Sequence, residues 1–148
     1  MIKKKTLEER IVLSDRAEVT LPVDKIEERQ KKNEYATAIL YASTTVEKIL
    51  YNKIKVYLKD EKLEKILRLK GRGLGTYSNW CLMLKLVDQN KLRKIRSLKK
   101  YRDRIVHEKG FLMKTDIIRV GNQLPLKKKL DKALKSAIEF INSTPISE

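Results

Sequence analysis

Along most of this chain, apolar residues recur at intervals of three, four or seven, the spacing that lines one face of an α-helix. Leu21-Pro22-Val23-Asp24 reads as a helix start, with Asp24 as N-cap and Glu27 three residues on, the capping-box spacing. From Lys25 to about Lys59 nothing breaks a helix. Ile26, Ala36, Ile39, Leu40, Val46, Ile49, Leu50, Ile54, Tyr57 and Leu58 form its stripe, which Asn33, Ser43 and Thr44 weaken. At 1.5 Å per residue this helix is predicted to be roughly 50 Å long. A short helical piece over Glu61–Lys70 leads into GRGLG at 71–75. The second core helix is expected from Thr76 or Tyr77 to Val87, capped by Thr76 or Ser78, and Asp88-Gln89-Asn90 follows as a connector. The third is expected from Lys91 to His107, with Ile95, Leu98, Ile105 and Val106 inward and Gly110 stopping it as a C′ glycine. Thr115-Asp116 opens a further segment, interrupted around residues 121–125. The last helix runs from Leu126 to Asn142, with Leu130, Leu134, Ala137, Ile138 and Ile141 on one face. One short amphipathic stretch, Leu7–Arg16, precedes them all. The pattern predicts an all-α fold: an antiparallel up-and-down four-helix bundle over residues 24–142 with short accessory helices. Residues 1–23 are an N-terminal extension and 143–148 a tail.

Composition agrees. The 148 residues are one domain's worth, and with 41% hydrophobic but only 6% aromatic residues the core must be aliphatic. Five Gly and three Pro are too few for the turns of an all-β fold. Cys81 is the single cysteine and His107 the single histidine, so no Cys/His zinc cluster can be assembled, and neither a metal nor another cofactor is expected. MIKKKTLEER has no apolar core of a signal peptide, and the apolar window 81–87 is far shorter than a membrane span. The expectation is a soluble, cytoplasmic protein without a membrane partner.

Charge narrows the function. The chain carries +16, unevenly: residues 1–60 hold 13 basic and 10 acidic side chains, residues 61–148 hold 22 and 9. Between 91 and 104, Lys91, Arg93, Lys94, Arg96, Lys99, Lys100, Arg102 and Arg104 face a single acid, Asp103. A high Lys content accounts for some of this, since 25 of the 35 cations are Lys, but it does not account for the asymmetry. A polyanion does, because each neutralised phosphate releases condensed counterions. RNA is the expected partner, with Lys91, Arg93, Lys94, Arg96, Lys99, Lys100 and Arg104 as its contacts.

Two motifs invite a chemical reading. GRGLGT at 71–76 is not a P-loop, because Thr76 stands where Lys is required; nor is it a dinucleotide fingerprint, which needs Gly at 76 after a strand. It turns the chain between helices. Tyr101-Arg102-Asp103-Arg104-Ile105-Val106-His107 is the stronger case. Arg102 lies four residues after Leu98 and three before Ile105, so it interrupts the buried stripe, where a charge must be paired or face a cleft. Asp103 and His107 are spaced i, i+4, at which a carboxylate can orient an imidazole. A plain surface pair, or a His favoured at a helix C-terminus, explains the same spacing. Arg102 and His107 stand about 140° apart on a helix, so one chain does not aim both at one point.

Arg-Asp-x-x-x-His near the end of the third helix of a basic bundle resembles the motif of the HEPN superfamily: Arg, four to six residues, then His. A polar residue commonly follows the Arg there, and Asp103 fills that place. Leu74-Gly75-Thr76 entering the second helix, and Gly110-Phe111-Leu112 after the His, are similar too, and the resemblance covers residues 24–142. It implies a four-helix domain, usually a homodimer with the two motifs facing each other. It also implies a metal-independent endoribonuclease found among toxins and antiphage systems, with Arg102, His107 and Asp103 catalytic. Other members bind RNA without cutting it, and similar helical folds act as transcriptional regulators of the mannitol-repressor type. An antitoxin or nucleotidyltransferase partner is implied for one branch, but that branch carries a modifiable Tyr two residues after the His, where this chain has Lys109.

The residues fit that chemistry without the name. RNA brings its own nucleophile, the 2′-OH, so cleavage needs a proton carrier near pH 7 and cationic donors for the phosphorane. His and Arg are the side chains suited to these tasks. One His per chain supplies one acid/base group, and a symmetric dimer supplies two.

Overall fold

A computed structural model describes residues 22–59, 68, 71–119 and 124–144. In chain order its helices are α1 (Pro22–Lys31), α2 (Tyr35–Leu58), α3 (Leu74–Met83), α4 (Gln89–Lys94), α5 (Arg96–His107), α6 (Lys109–Arg119) and α7 (Leu124–Ser143). The described residues are all-α and contain no strand. None of these helices is long and apolar enough to cross a membrane. The short helix expected over Leu7–Arg16 lies outside the described residues. So does most of the piece expected over 61–70, where only Arg68 is described, in a turn at φ 55°.

The long first helix predicted over 25–59 is two helices. Asn33 breaks it in the left-handed region (φ 60°), a conformation Asn tolerates because its short polar side chain bonds locally. The Glu34 N–H returns to the Arg29 carbonyl (2.8 Å) and the Asn33 N–H to that of Gln30 (3.0 Å), the pair of bonds that closes a Schellman cap. The first helix already runs at Pro22, so Asp24 sits in its first turn rather than capping it. Arg29 Nη1 clamps Glu34 Oε1 across the corner at 2.7 Å.

α2 occupies the centre and packs against α1, α3, α5, α6 and α7. Ala38, Ile39, Ala42, Val46, Leu50 and Ile54 are fully buried. Burial of each large aliphatic side chain contributes about 1.5–3 kcal/mol. Ser43 and Thr45 are buried on the same helix at no loss of bonding, because their hydroxyls donate to the carbonyls of Leu40 (3.1 Å) and Tyr41 (2.9 Å). Leu40 and Tyr57, expected inward, are exposed instead.

α3 starts at Leu74, earlier than Thr76, and its N-cap is Gly73 at φ 115°, open only to glycine. It stops at Met83 rather than Val87. Lys85 is left-handed, and the Leu86 N–H bonds the Cys81 carbonyl (2.9 Å), a second Schellman cap. The third predicted helix is also divided: Ile95 leaves helical geometry (φ −96°, ψ 6°) with its side chain buried, and α4 and α5 meet there. On α5 the buried positions are Leu98, Tyr101 and Ile105, whereas Val106 is half-exposed. Gly110 is no C′ cap. α5 ends because Glu108 turns extended (φ −123°, ψ 102°), and Gly110 lies in the first turn of α6. Thr115 likewise lies inside α6, its hydroxyl bonded to the Leu112 carbonyl. α7 buries Leu130, Ala133, Leu134, Ala137, Phe140 and Ile141 against α2 and its neighbours.

Candidate functional site

α5 carries the motif, and its amphipathicity decides where each member points. Leu98, Tyr101 and Ile105 anchor one side in the core. Opposite them, Arg96, Asp103 and His107 fall within about 20° of one stripe, because seven and eleven residues close nearly whole turns. Lys99 flanks that stripe, and Arg102 lies about 120° round from it, at the border of the core.

At that border Arg102 is held from two sides. Its Nη1 donates to Asp103 Oδ1 at 3.2 Å, and its Nη2 stands 4.0 Å from Glu47 Oε2 of α2. The side chain remains 34% exposed, enough to offer guanidinium donors outward. Glu47 is the residue that sequence reasoning missed. Burial pushes its pKa above the usual carboxylate value, while Arg102 and the Leu74 backbone N–H pull it down. The available signal was an acid between the buried Ser43 and Leu50 at helical spacing; that Arg102 would face it is decided only by α2–α5 packing.

Asp103 does not orient His107. Its Oδ2 accepts from Lys99 Nζ at 2.8 Å and its Oδ1 from Arg102, and the Lys99 ammonium, then the Arg102 guanidinium, hold its carboxyl below the usual range. The Lys one turn earlier and the adjacent Arg102, rather than the His one turn later, take both carboxylate oxygens. His107 is exposed, and among the described residues no hydrogen bond joins it to Asp103 or Arg102. The structure therefore brings Arg102, Asp103, Lys99 and Glu47 together and leaves His107 apart from them.

Apart from Lys99, which is paired with Asp103, the predicted RNA contacts divide into two groups. Three have structural duties. Lys91 Nζ donates to the Ser143 carbonyl (3.0 Å) at the C-terminal end of α7, where a cation suits the helix dipole. Arg104 lies over the Phe111 ring (4.2 Å), itself stacked on Tyr101, and reaches Glu108 Oε1 at 3.3 Å. Lys100 Nζ sits 5.5 Å from the Tyr101 ring centroid. Arg93, Lys94 and Arg96 are exposed, with no ion-pair or hydrogen-bond partner among the described residues. The Lys99 side chain lies over Gly75 of α3, where an added Cβ would come within 2.6 Å of its Cε and push the flexible side chain aside.

Tyr77 is core: buried, it accepts the Arg72 N–H through its hydroxyl (3.1 Å) and tilts against Tyr51. Trp80 packs on the core's edge. Cys81 is an inert thiol, buried against the Leu50 carbonyl, with its pKa pushed up by burial to about 11. Among the described residues no three His, Cys, Asp or Glu side chains gather closely enough to hold a metal ion. Compared with protein-family models, curated proteins and solved structures, the chain matches none.

Proposed function

We propose that this chain is a HEPN-type domain, a four-helix bundle working in the cytoplasm as a homodimeric, metal-independent endoribonuclease of the toxin or antiphage kind. The observation that carries the reading is the seat of Arg102: a guanidinium on the margin of the core, steadied by Glu47 and Asp103 yet one-third exposed, on the helix that also bears the only histidine. An arginine held at its rear is pre-organised to meet a phosphate, since less rotamer freedom is lost on binding.

In the reaction, His107 takes the 2′-OH proton as O2′ attacks phosphorus. The P–O5′ bond breaks, the second His107 of the dimer gives a proton to O5′, and the products are a 2′,3′-cyclic phosphate and a 5′-OH. Arg102 neutralises the phosphorane oxygens, and Asp103 acts as a positioning residue for Arg102 and Lys99 rather than for the imidazole. The 140° between Arg102 and His107 asks for a second subunit, so that Arg102 and His107 of both subunits line one shared cleft. The assay is incubation of the full chain with mixed RNA in excess EDTA. Cyclic-phosphate ends that vanish in His107→Ala support cleavage. Heterodimers of Arg102→Ala and His107→Ala chains regain part of the activity, and an active monomer by light scattering overturns the shared cleft.

A second reading, a non-catalytic RNA-binding or transcription-regulatory module, is favoured by one observation: two carboxylates already engage Arg102, and no described partner sets the tautomer of His107. Intact RNA that stays bound selects it. An antitoxin partner stays within either reading, but not one that modifies a Tyr at position 109, which is Lys.

A further inference from the structure

Where α3 passes the α4–α5 junction, the surface folds into a cleft of about 240 Å³. Three cations line it, Arg93, Arg96 and Lys99, together with the neutral side chains of Ser78, Asn79 and Gln89. No carboxylate lines the cleft, although Asp103 holds Lys99 from behind. Arg93 and Arg96 stand three residues apart, one on each side of the break at Ile95, whose own side chain is buried, and both line the cleft.

We infer that this cleft is a seat for the phosphate group of a nucleotide, with Arg93, Arg96 and Lys99 holding the phosphate and Ser78, Asn79 and Gln89 meeting the attached sugar or base. The inference rests on the RNA reading of the basic face but not on cleavage. Cations that converge with no acid opposite are expensive to hold together unless an anion joins them, because like charges repel. The neutral groups are of the kind that give a pocket orientation rather than mere attraction: Asn and Gln each offer a donor pair and an acceptor, and Ser a hydroxyl. The volume is below that of a pocket for a drug-sized ligand, roughly 300–1,000 Å³, and suits a single phosphate with part of one nucleoside. Arg96 shares its stripe on α5 with His107, so a strand seated here continues along α5 toward the histidine. The cleft is therefore a register point for the strand, and its neutral side chains are where base preference is set.

The experiment uses full-length His107→Ala protein, so that cutting does not interfere. Nucleoside 5′-monophosphates, the matching unphosphorylated nucleosides and a short single-stranded RNA are titrated by amide chemical shift and calorimetry. The expected result is phosphate-dependent binding that perturbs residues 78, 79, 89 and 96. It is weakened about tenfold or more in Arg93→Ala/Arg96→Ala, since each charge-assisted hydrogen bond lost is of that order. Lys128→Ala/Lys129→Ala on α7 removes equal charge from elsewhere and changes affinity less than about threefold, as general electrostatics alone does at moderate salt. Binding of monophosphate and RNA together assigns the seat to free nucleotides as well as strands; binding of RNA alone assigns it to the strand backbone. Equal loss in the two double variants, or nucleosides binding as well as their phosphates, overturns the seat while leaving the proposed RNase standing. No RNA bound by any form of the protein overturns the proposed function itself.

Discussion

Two polar regions of this molecule use similar residues to opposite ends. At the junction of α1, α2 and α7, Asp131 accepts from the Tyr35 hydroxyl (2.5 Å) and Gln30 Nε2 (2.9 Å) on one oxygen and from Lys127 Nζ (3.3 Å) on the other. Burial would raise that carboxyl's pKa, but the three donors outweigh it and the net shift is downward. Asp131 and Lys127 answer each other there, and Tyr35 is buried with its hydroxyl satisfied. At the α3–α4–α5 surface Arg93 and Arg96 are answered by nothing described, and only Lys99 has a carboxylate, Asp103. The first region spends its polar groups on holding three helices together, and the second leaves Arg93 and Arg96 exposed beside a cleft. Net charge alone does not distinguish them; pairing does.

The largest expected effect breaks the first region. Asp131→Ala leaves the buried Tyr35 hydroxyl without its acceptor, costing about 1–3 kcal/mol of stability, while RNA affinity stays unchanged. Urea denaturation beside a binding titration checks both halves, and a midpoint identical to wild type would remove Asp131 from the structural side of the comparison.

A pH series sharpens the contrast at an intermediate level. Asp131 and Asp103 have lowered pKa values in the fold, so the stability they contribute is present above the ordinary carboxylate range and is lost as pH falls through their lowered values. Glu47 is raised, so its contribution is present below its ordinary value and is lost as pH rises through the raised one. Urea midpoints of wild type and Glu47→Gln should therefore change their spacing between the ordinary carboxylate range and neutrality, with wild type gaining relative stability on acidification there. A spacing constant across that window would mean that the Glu47 carboxylate is not held in a desolvated seat.

The smallest effect on stability belongs to the second region. Lys94→Ala with Lys99→Ala breaks only the exposed Lys99–Asp103 pair, worth about 0.2–1 kcal/mol. The slope of log affinity against log salt should nevertheless flatten by up to about two units. A slope that does not move would shift the nucleic-acid surface off α4 and α5.

Much of this architecture was legible in the residue order. Recurrence of apolar positions at intervals of three, four and seven located the helical segments now seen as α2, α3, α5 and α7, because helix burial follows a 3.6-residue period that residue order displays directly. The charge asymmetry located the basic face, and the odd placement of Arg102 against Leu98 and Ile105 marked it as a side chain that needs a partner. Helix boundaries were less legible. Asn33 and Lys85 end helices in left-handed caps, and Ile95 breaks one although nothing in its own propensity requires it. Those breaks are chosen by what the flanking segments can then bury: Ile26 and Tyr35 on either side of the first, Ile95 and Leu98 at the last.

Pairing across helices lay wholly beyond the sequence. Asp103 had His107, Lys99 and Arg102 all within reach along α5, and local spacing does not choose among them; in the fold it takes Lys99 and Arg102. Glu47 meets Arg102, and Gln30 and Tyr35 meet Asp131, across 55, 101 and 96 residues of chain respectively. Local sequence thus determined that the chain is helical, where most of its helices lie and which surface is basic, since these depend on neighbours three and four residues away. Which charges are spent inside the fold and which are left facing a cleft was decided by tertiary packing alone, because an ion pair between helices exists only once their buried faces have fixed the distance between them.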